Sequence, residues 1–236
     1  MSQEVSADHW RSRLDVPSYR VGEAATYARI SAQTVANWEK PHNDRPPVLQ
    51  RRGAREGLSF LQLIEIAVVA TMRQDGVKLT NIRSVRDFFA QKYNSKYPFA
   101  LAKFKIDGVD VFQEYEDGDK GVLFDRLVTA NKQGQLFWTE VLQKRLREFN
   151  YDIQGRVASW RVNGTDGEIL IDPRVSFGAP NIAGIATRAV RSRWLVGESL
   201  SEIGDDLLLS TEQVVEALEF EGFTKEEIRT RNAWKN

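Results

Sequence analysis

The sequence predicts an α+β chain. Three observations carry that reading. Apolar residues recur at helical spacing between Tyr19 and Tyr93, alternating runs broken by glycine turns fill Ala100 to Val162, and short capped helices follow Ile171. A length of 236 residues with 42% hydrophobic side chains suits a globular protein of one large or two to three small domains. The expected divisions are 1–95, 96–165 and 166–236.

In the first segment Val21, Ala24, Ala25 and Ala28 fall on one helical face, Ile30-Ser31 makes a turn, and Ser31 can cap a second helix. There Val35 and Trp38 point inward, while Gln33, Thr34, Asn37 and Lys40 point out. Side-chain amides so placed can make paired hydrogen bonds to adenine edges. Pro41 to Leu58 reads as a hairpin wing with Gly53 and Gly57 at its turns. Its Arg51, Arg52 and Arg55 would each hold a phosphate in a forked contact. Ser59 then caps an apolar helix that Gly76 ends, and another begins at Leu79, with Val85, Phe88 and Phe89 on one side and Arg83 and Arg86 available on the other. The most apolar window, Phe60 to Met72, contains Gln62 and Glu65 and is too short to span a bilayer, so it reads as a buried helix.

The zero net charge conceals a division. Residues 1–105 hold 17 Lys/Arg against 10 Asp/Glu, a balance of +7; residues 106–236 hold 16 against 23, a balance of −7. Attraction to phosphates is the main sequence-independent term in DNA affinity, so a nucleic-acid interface belongs in the first half and a different partner in the second.

In the middle, Ala100 to Ile106 and Val109 to Tyr115 read as strands around Asp107-Gly108, and Val122 to Val128 continues the sheet. A helix is expected from Gln135 to Glu148, then strand from Tyr151 to Val162. Past Ile171, Thr187 is placed to cap a helix with Val190, Trp194 and Leu195 on one face and Gly197 at its end. Ser199 with Glu202 and Ser210 with Gln213 have capping-box spacing. Gly222 breaks the last of these helices, and Thr224 with Glu227 can start another carrying Arg229, Arg231, Trp234 and Lys235. Trp and Arg are residue types that anchor interfaces, so these four are candidate partner contacts.

Catalytic, metal and cofactor sites are not expected. The only histidines, His9 and His42, lack ligand spacing, there are no cysteines, and neither a phosphate loop nor a nucleophile elbow occurs. Asp205-Asp206 and the acidic run Glu114 to Asp119 read as solvated ends, and Trp160, Trp194 and Phe177 as core. The opening MSQEVSADHWRSRLDVPS lacks an apolar signal core, so a cytoplasmic location without membrane contact is expected.

Two segments resemble known families. YRVGEAATYARISAQTVANWE, with Trp38-Glu39 and a following wing, is similar to the start of MerR-type regulators, which implies a winged helix-turn-helix bound to double-stranded operator DNA. Those regulators dimerise through a long helix after this module; here Tyr97-Pro98 and strand-like runs follow instead. Asp172-Pro173, Gly178-x-Pro180, Ile182-x-Gly184-x-x-Thr187-Arg188, Gly197-x-Ser199-x-x-Glu202-Ile203 and Leu209-Ser210-x-Glu212-x-Val214 resemble the small trihelical, helix-turn-helix-like antitoxins. That resemblance implies a VapB-like type II antitoxin, self-repressing, with a PIN-like, magnesium-dependent ribonuclease toxin as partner. So small a domain has little interior of its own, and homodimerisation through residues from about 165 onward is expected. The alternatives are a stand-alone MerR-like regulator with an effector-binding middle domain and a scaffold without DNA binding.

Overall fold

The computed structural model describes residues 10–41, 46–53, 56–105 and 142–233. They form a mixed helix and antiparallel-sheet structure that divides into two compact units, Met1–Ala158 and Ser159–Asn236.

The first unit opens with α1 (Val21–Tyr27) and α2 (Ala32–Trp38). The backbone N–H of Arg20 donates to the Glu23 carboxylate at 2.7 Å, which anchors the start of α1. Arg29 takes a left-handed φ of 56° at the turn, and the Ser31 hydroxyl accepts from the Thr34 N–H at 3.0 Å to start α2 as the sequence predicts. The carbonyl of Trp38 accepts from Val48 and Leu49 N–H groups, tying the end of α2 to the chain beyond it. Among the described residues of 41–58 there is no hairpin ladder; Leu58 instead forms an isolated antiparallel bridge with Tyr19.

Helix α3 (Phe60–Gln74) begins in a Ser59/Gln62 capping box and is buried around nearly its whole circumference, which makes it the centre of the unit. It carries a buried polar pair into that centre. Arg86 of α4 (Leu79–Tyr93) donates through Nε to Glu65 at 2.7 Å and through Nη2 to the Lys96 carbonyl, and the Phe99 N–H donates to the other Glu65 oxygen. Burial raises the Glu65 pKa, against the pull of the Arg86 guanidinium. The expectation that Arg86 faces outward is therefore corrected: a buried carboxylate requires a paired cation, and Arg86 supplies it.

The strand expected at Ala100 to Ile106 is also corrected. Pro98–Ala100 is a tight 3-10 turn, residues 102–105 are helical, and Ile106 lies outside the described residues. An extended chain would send Phe99 to the face opposite Ala100 and Phe104, yet all three are buried. The turn packs Phe99 and Phe104 at 4.7 Å and Phe104 against Phe89 at 5.0 Å. The predicted strands at Val109 to Tyr115 and Val122 to Val128, and the first part of the Gln135 helix, also lie outside the described residues; residues 142–147 are helical. Strand β1 (Phe149–Tyr151) then turns into β2 (Val157–Arg161), and the unit division falls within β2. The Asp152 carboxylate organises that turn, accepting from the Gln154 and Arg156 N–H groups and from Arg11 Nε, each at 2.9 Å.

In the second unit the end of β2 pairs antiparallel with β3 (Leu170–Ile171), Trp160 opposite Ile171. β3 pairs with β4 (Asn181–Ile182), and β4 with β5 (Ile185–Ala186). Ala183 and Gly184 join β4 to β5 with φ of 49° and 85°, the two positive values a tight hairpin requires. Four helices follow: α5 (Thr187–Val196), α6 (Leu200–Leu207), α7 (Thr211–Phe220) and α8 (Lys225–Ala233). Gly197 ends α5 in the left-handed region, and Ser199/Glu202 and Ser210/Gln213 form both predicted capping boxes. Val190, Trp194, Ile203, Val214, Ala217 and Leu218 make the core. A Cβ on Gly204 would meet the Leu209 carbonyl oxygen at 2.9 Å, so glycine permits the close passage from α6 to α7.

Three expectations in this unit are corrected. Thr187 does not cap α5; its hydroxyl donates to the Glu221 carboxylate at 2.5 Å, beyond the end of α7. Leu195 is 50% exposed, on the opposite side of α5 from Val190 and Trp194. Phe177 is 84% exposed rather than core, at the tip of a loop where both it and Ser176 have positive φ. That loop is pinned at its base by a forked Arg174–Asp172 pair with contacts at 2.6 and 2.9 Å.

Candidate nucleic-acid interface

Helix α2 buries Val35 and Trp38, and this orientation leaves Gln33, Asn37 and Lys40 exposed and Thr34 half-buried. The Gln33 Nε2 donates to Asn37 Oδ1 at 2.9 Å, one helical turn along. The bond pre-orients both amides and leaves the Gln33 oxygen and the Asn37 nitrogen for an outside partner. Three of the four residues singled out in sequence on and just after α2, Thr34, Asn37 and Lys40, line a cleft of about 750 Å³ together with Trp38, Pro41, Arg73, Lys78, Leu79, Thr80 and Arg83.

The cleft has a consistent electrostatic character. Lys40, Arg73, Lys78 and Arg83 contribute positive charge, and no carboxylate is among the described residues lining it. The arginines are positioned by backbone carbonyls: Arg73 Nη1 donates to Val77 O at 2.7 Å, and Arg83 Nε to Pro46 O at 2.9 Å. Leu79 and Thr80 are the first residues of the 15-residue α4, so the positive end of its macrodipole opens into the same space. Arg73, Lys78 and Arg83 come from sites about forty residues beyond α2. Helical periodicity marks Arg83 as outward-facing, whereas nothing in the local sequence marks Arg73 or Lys78 apart from the excess of Lys and Arg in the first half.

The wing arginines are distributed differently. Arg51 is exposed. Arg52 donates through Nε to both oxygens of Glu39 at 2.9 Å and through Nη1 to the Glu56 carbonyl, so its charge is locally compensated. Arg55 lies outside the described residues. The glycine at Gly53 sits beside the Glu56 carboxylate, which also accepts its N–H at 3.0 Å.

In the second unit, Thr224 and Glu227 cap α8 reciprocally as predicted, and Ile228 is buried. Arg229 is exposed, whereas the Arg231 guanidinium lies 4.5 Å from the centroid of the buried Trp194 ring, where it fastens α8 to α5. Trp234 and Lys235 lie outside the described residues. The acidic face of α7 is also in use: Glu216 accepts the Glu168 N–H at 3.0 Å, and Gln213 donates to the Glu168 carboxylate. Among the described residues no group of three or more His, Cys, Asp or Glu side chains could hold a metal ion, and no helix is long and apolar enough to cross a membrane.

No family model matches the chain. It is 24% identical over 229 residues to a curated Mycobacterium tuberculosis protein named "Putative antitoxin VapB45", covering 88% of this chain and 95% of that one. Its fold is similar to that of the crystal structure of Rv2018 from Mycobacterium tuberculosis, with a TM-score of 0.70, 23% identity and coverage of 87% and 99% of the two chains.

Proposed function

We propose that this chain is a non-enzymatic, VapB-like antitoxin of a type II toxin–antitoxin pair that neutralises a PIN-like ribonuclease toxin and represses its own operon by binding double-stranded DNA. The near full-length similarity to a protein named as an antitoxin supports the toxin-neutralising part. One observation carries the DNA part: the outward polar face of α2 opens directly into a cleft with four cationic side chains and no carboxylate among its described lining residues. A duplex backbone presents a phosphate charge every few ångströms, and such a cleft can seat it while Gln33 and Asn37 meet base edges.

The two sets of residues have separable signatures. Asn37→Ala removes a base contact, so it lowers affinity for the operator by ~1–3 kcal/mol and relaxes specificity. Lys78→Ala or Arg73→Ala removes a phosphate contact, weakening all duplexes and flattening the salt dependence by about one counterion each. Titration of the promoter fragment and a scrambled duplex at four salt concentrations tests this. Unchanged affinity in an Asn37→Ala, Lys78→Ala double variant would sink the DNA assignment.

The toxin part is tested by co-expressing the adjacent reading frame. Growth arrest by that frame alone, relieved by this chain, supports it; no arrest overturns it. Homodimerisation through residues from about 165 onward would give two α2 helices for two half-sites, ~34–36 Å apart or a multiple of it. Light scattering of the full chain and of a fragment ending near Asn163 tests that arrangement.

A further inference from the structure

The second unit is acidic, with nine Lys/Arg against thirteen Asp/Glu in residues 159–236, yet α5 (Thr187–Val196) carries three arginines and no acid. The helix buries Thr187, Val190 and Trp194 on one side. Arg188, Arg191, Ser192 and Leu195 are exposed at positions i, i+3, i+4 and i+7, a single stripe along the opposite side, and Val196 extends it at 80% exposure.

Stability of the isolated fold does not account for that stripe. Arg188 occupies the first turn, where a cation opposes the positive end of the helix dipole, and it makes no ion pair among the described residues. Arg191 reaches a carboxylate only at 4.0 Å, on Glu221. The third arginine is employed otherwise: Arg193 bridges Glu198 at 2.6 Å and also Asp206 at the end of α6. That bridge clamps the last turns of α5 and α6 together. Leu195, 50% exposed, and Val196 give the C-terminal end of the arginine stripe an aliphatic surface.

We propose that the exposed stripe of α5, Arg188, Arg191, Leu195 and Val196, is a docking surface for a protein partner whose own surface has a carboxylate cluster bordered by apolar residues. Charge complementarity identifies the occupant. A basic strip on an otherwise acidic unit attracts carboxylates and orients them, while the aliphatic end needs an apolar counterpart that a nucleic-acid backbone lacks. This inference rests on the antitoxin reading, with the toxin as the partner, and it assigns the contact to α5 rather than to the chain's end.

The test uses the full chain co-expressed with the product of the adjacent reading frame. Arg188→Glu with Arg191→Glu should weaken their association by roughly tenfold to a hundredfold by titration calorimetry and abolish growth rescue. Leu195→Ser with Val196→Ser should weaken it by about tenfold. Arg188→Lys with Arg191→Lys should retain most of it, and thermal melts should match the parent. If the parent does not bind the adjacent product, the antitoxin reading fails and takes this inference with it. If the parent binds and the glutamate variant binds equally well, the α5 surface alone is overturned. A glutamate variant that instead loses affinity for the promoter duplex would make the stripe a nucleic-acid face, which also overturns the proposal.

Discussion

Both units contain structural and exposed arginines, but against opposite net charges. In the first, several arginines are structural: Arg86 neutralises buried Glu65, Arg52 is forked onto Glu39, Arg11 holds Asp152, and Arg145 pairs with Glu148 while donating to Thr71. The positive balance of the first half thus overstates its available cationic surface, of which Lys40, Arg73, Lys78 and Arg83 line the cleft beside α2. In the second unit, negative overall, Arg188 and Arg191 stay exposed on α5 although the acids outnumber the bases. Net charge along a sequence therefore predicts the sign of a surface only after buried and paired groups are removed from the count.

The largest expected effect comes from breaking the buried pair. Glu65→Ala leaves Arg86 buried and uncompensated and should cost about 3–5 kcal/mol in urea denaturation. Replacing both, Glu65→Leu with Arg86→Met, should recover most of that loss. A smaller penalty leaving both would mean that Arg86 can reach water, and the contrast between the units would weaken.

In the second unit the corresponding lever is local. Ser199→Ala and Ser210→Ala each remove a side-chain acceptor at a helix start and should each cost about 1 kcal/mol, read by thermal melting. A gain of about 1 kcal/mol is expected from Phe177→Gly, because glycine removes the penalty of a left-handed φ of 55° while sacrificing an exposed ring. A loss of stability in that variant would show that the Phe177 ring packs more than its exposure indicates.

The smallest effect is in acid. Burial raises the Asp152 pKa, but the Arg156 N–H, the Arg11 side chain and the Gln154 N–H outweigh it, with a further contribution from the Arg156 charge, and the net position is below the ordinary 3.8. A depressed carboxylate contributes stability above its unfolded pKa and loses it as pH falls through the folded one. Asp152→Asn should therefore lower stability at pH 7 and flatten the loss below about pH 4. Acid titrations in which parent and variant lose stability in parallel would overturn this assignment.

What was legible in the sequence follows from the range of the interactions. Capping at Ser31, Ser59, Ser199, Ser210 and Thr224 joins residues three apart, and each was visible in the spacing of side chains. The inward Val35 and Trp38 followed from helical periodicity. The role of Arg86 did not, because its partner is 21 residues away on another helix, and a charged residue beside apolar ones looks the same whether it faces water or a buried acid. Thr187 is a related case: its helix-opening position predicts a cap, while its acceptor lies 34 residues onward. The cleft cations were dispersed for the same reason, since Lys40, Arg73 and Lys78 meet only through the packing of three elements.

The Thr187–Glu221 bond has one more consequence. It latches the first residue of α5 to the residue that follows α7, and the Arg231 guanidinium on Trp194 ties α8 to the same helix. A ligand that orders α8 must then alter the free energy of α5, and one that grips α5 must alter α8 by the same amount, because linkage between sites is reciprocal. Cutting the latch with Thr187→Val would weaken that coupling and leave the Arg231–Trp194 contact to carry what remains.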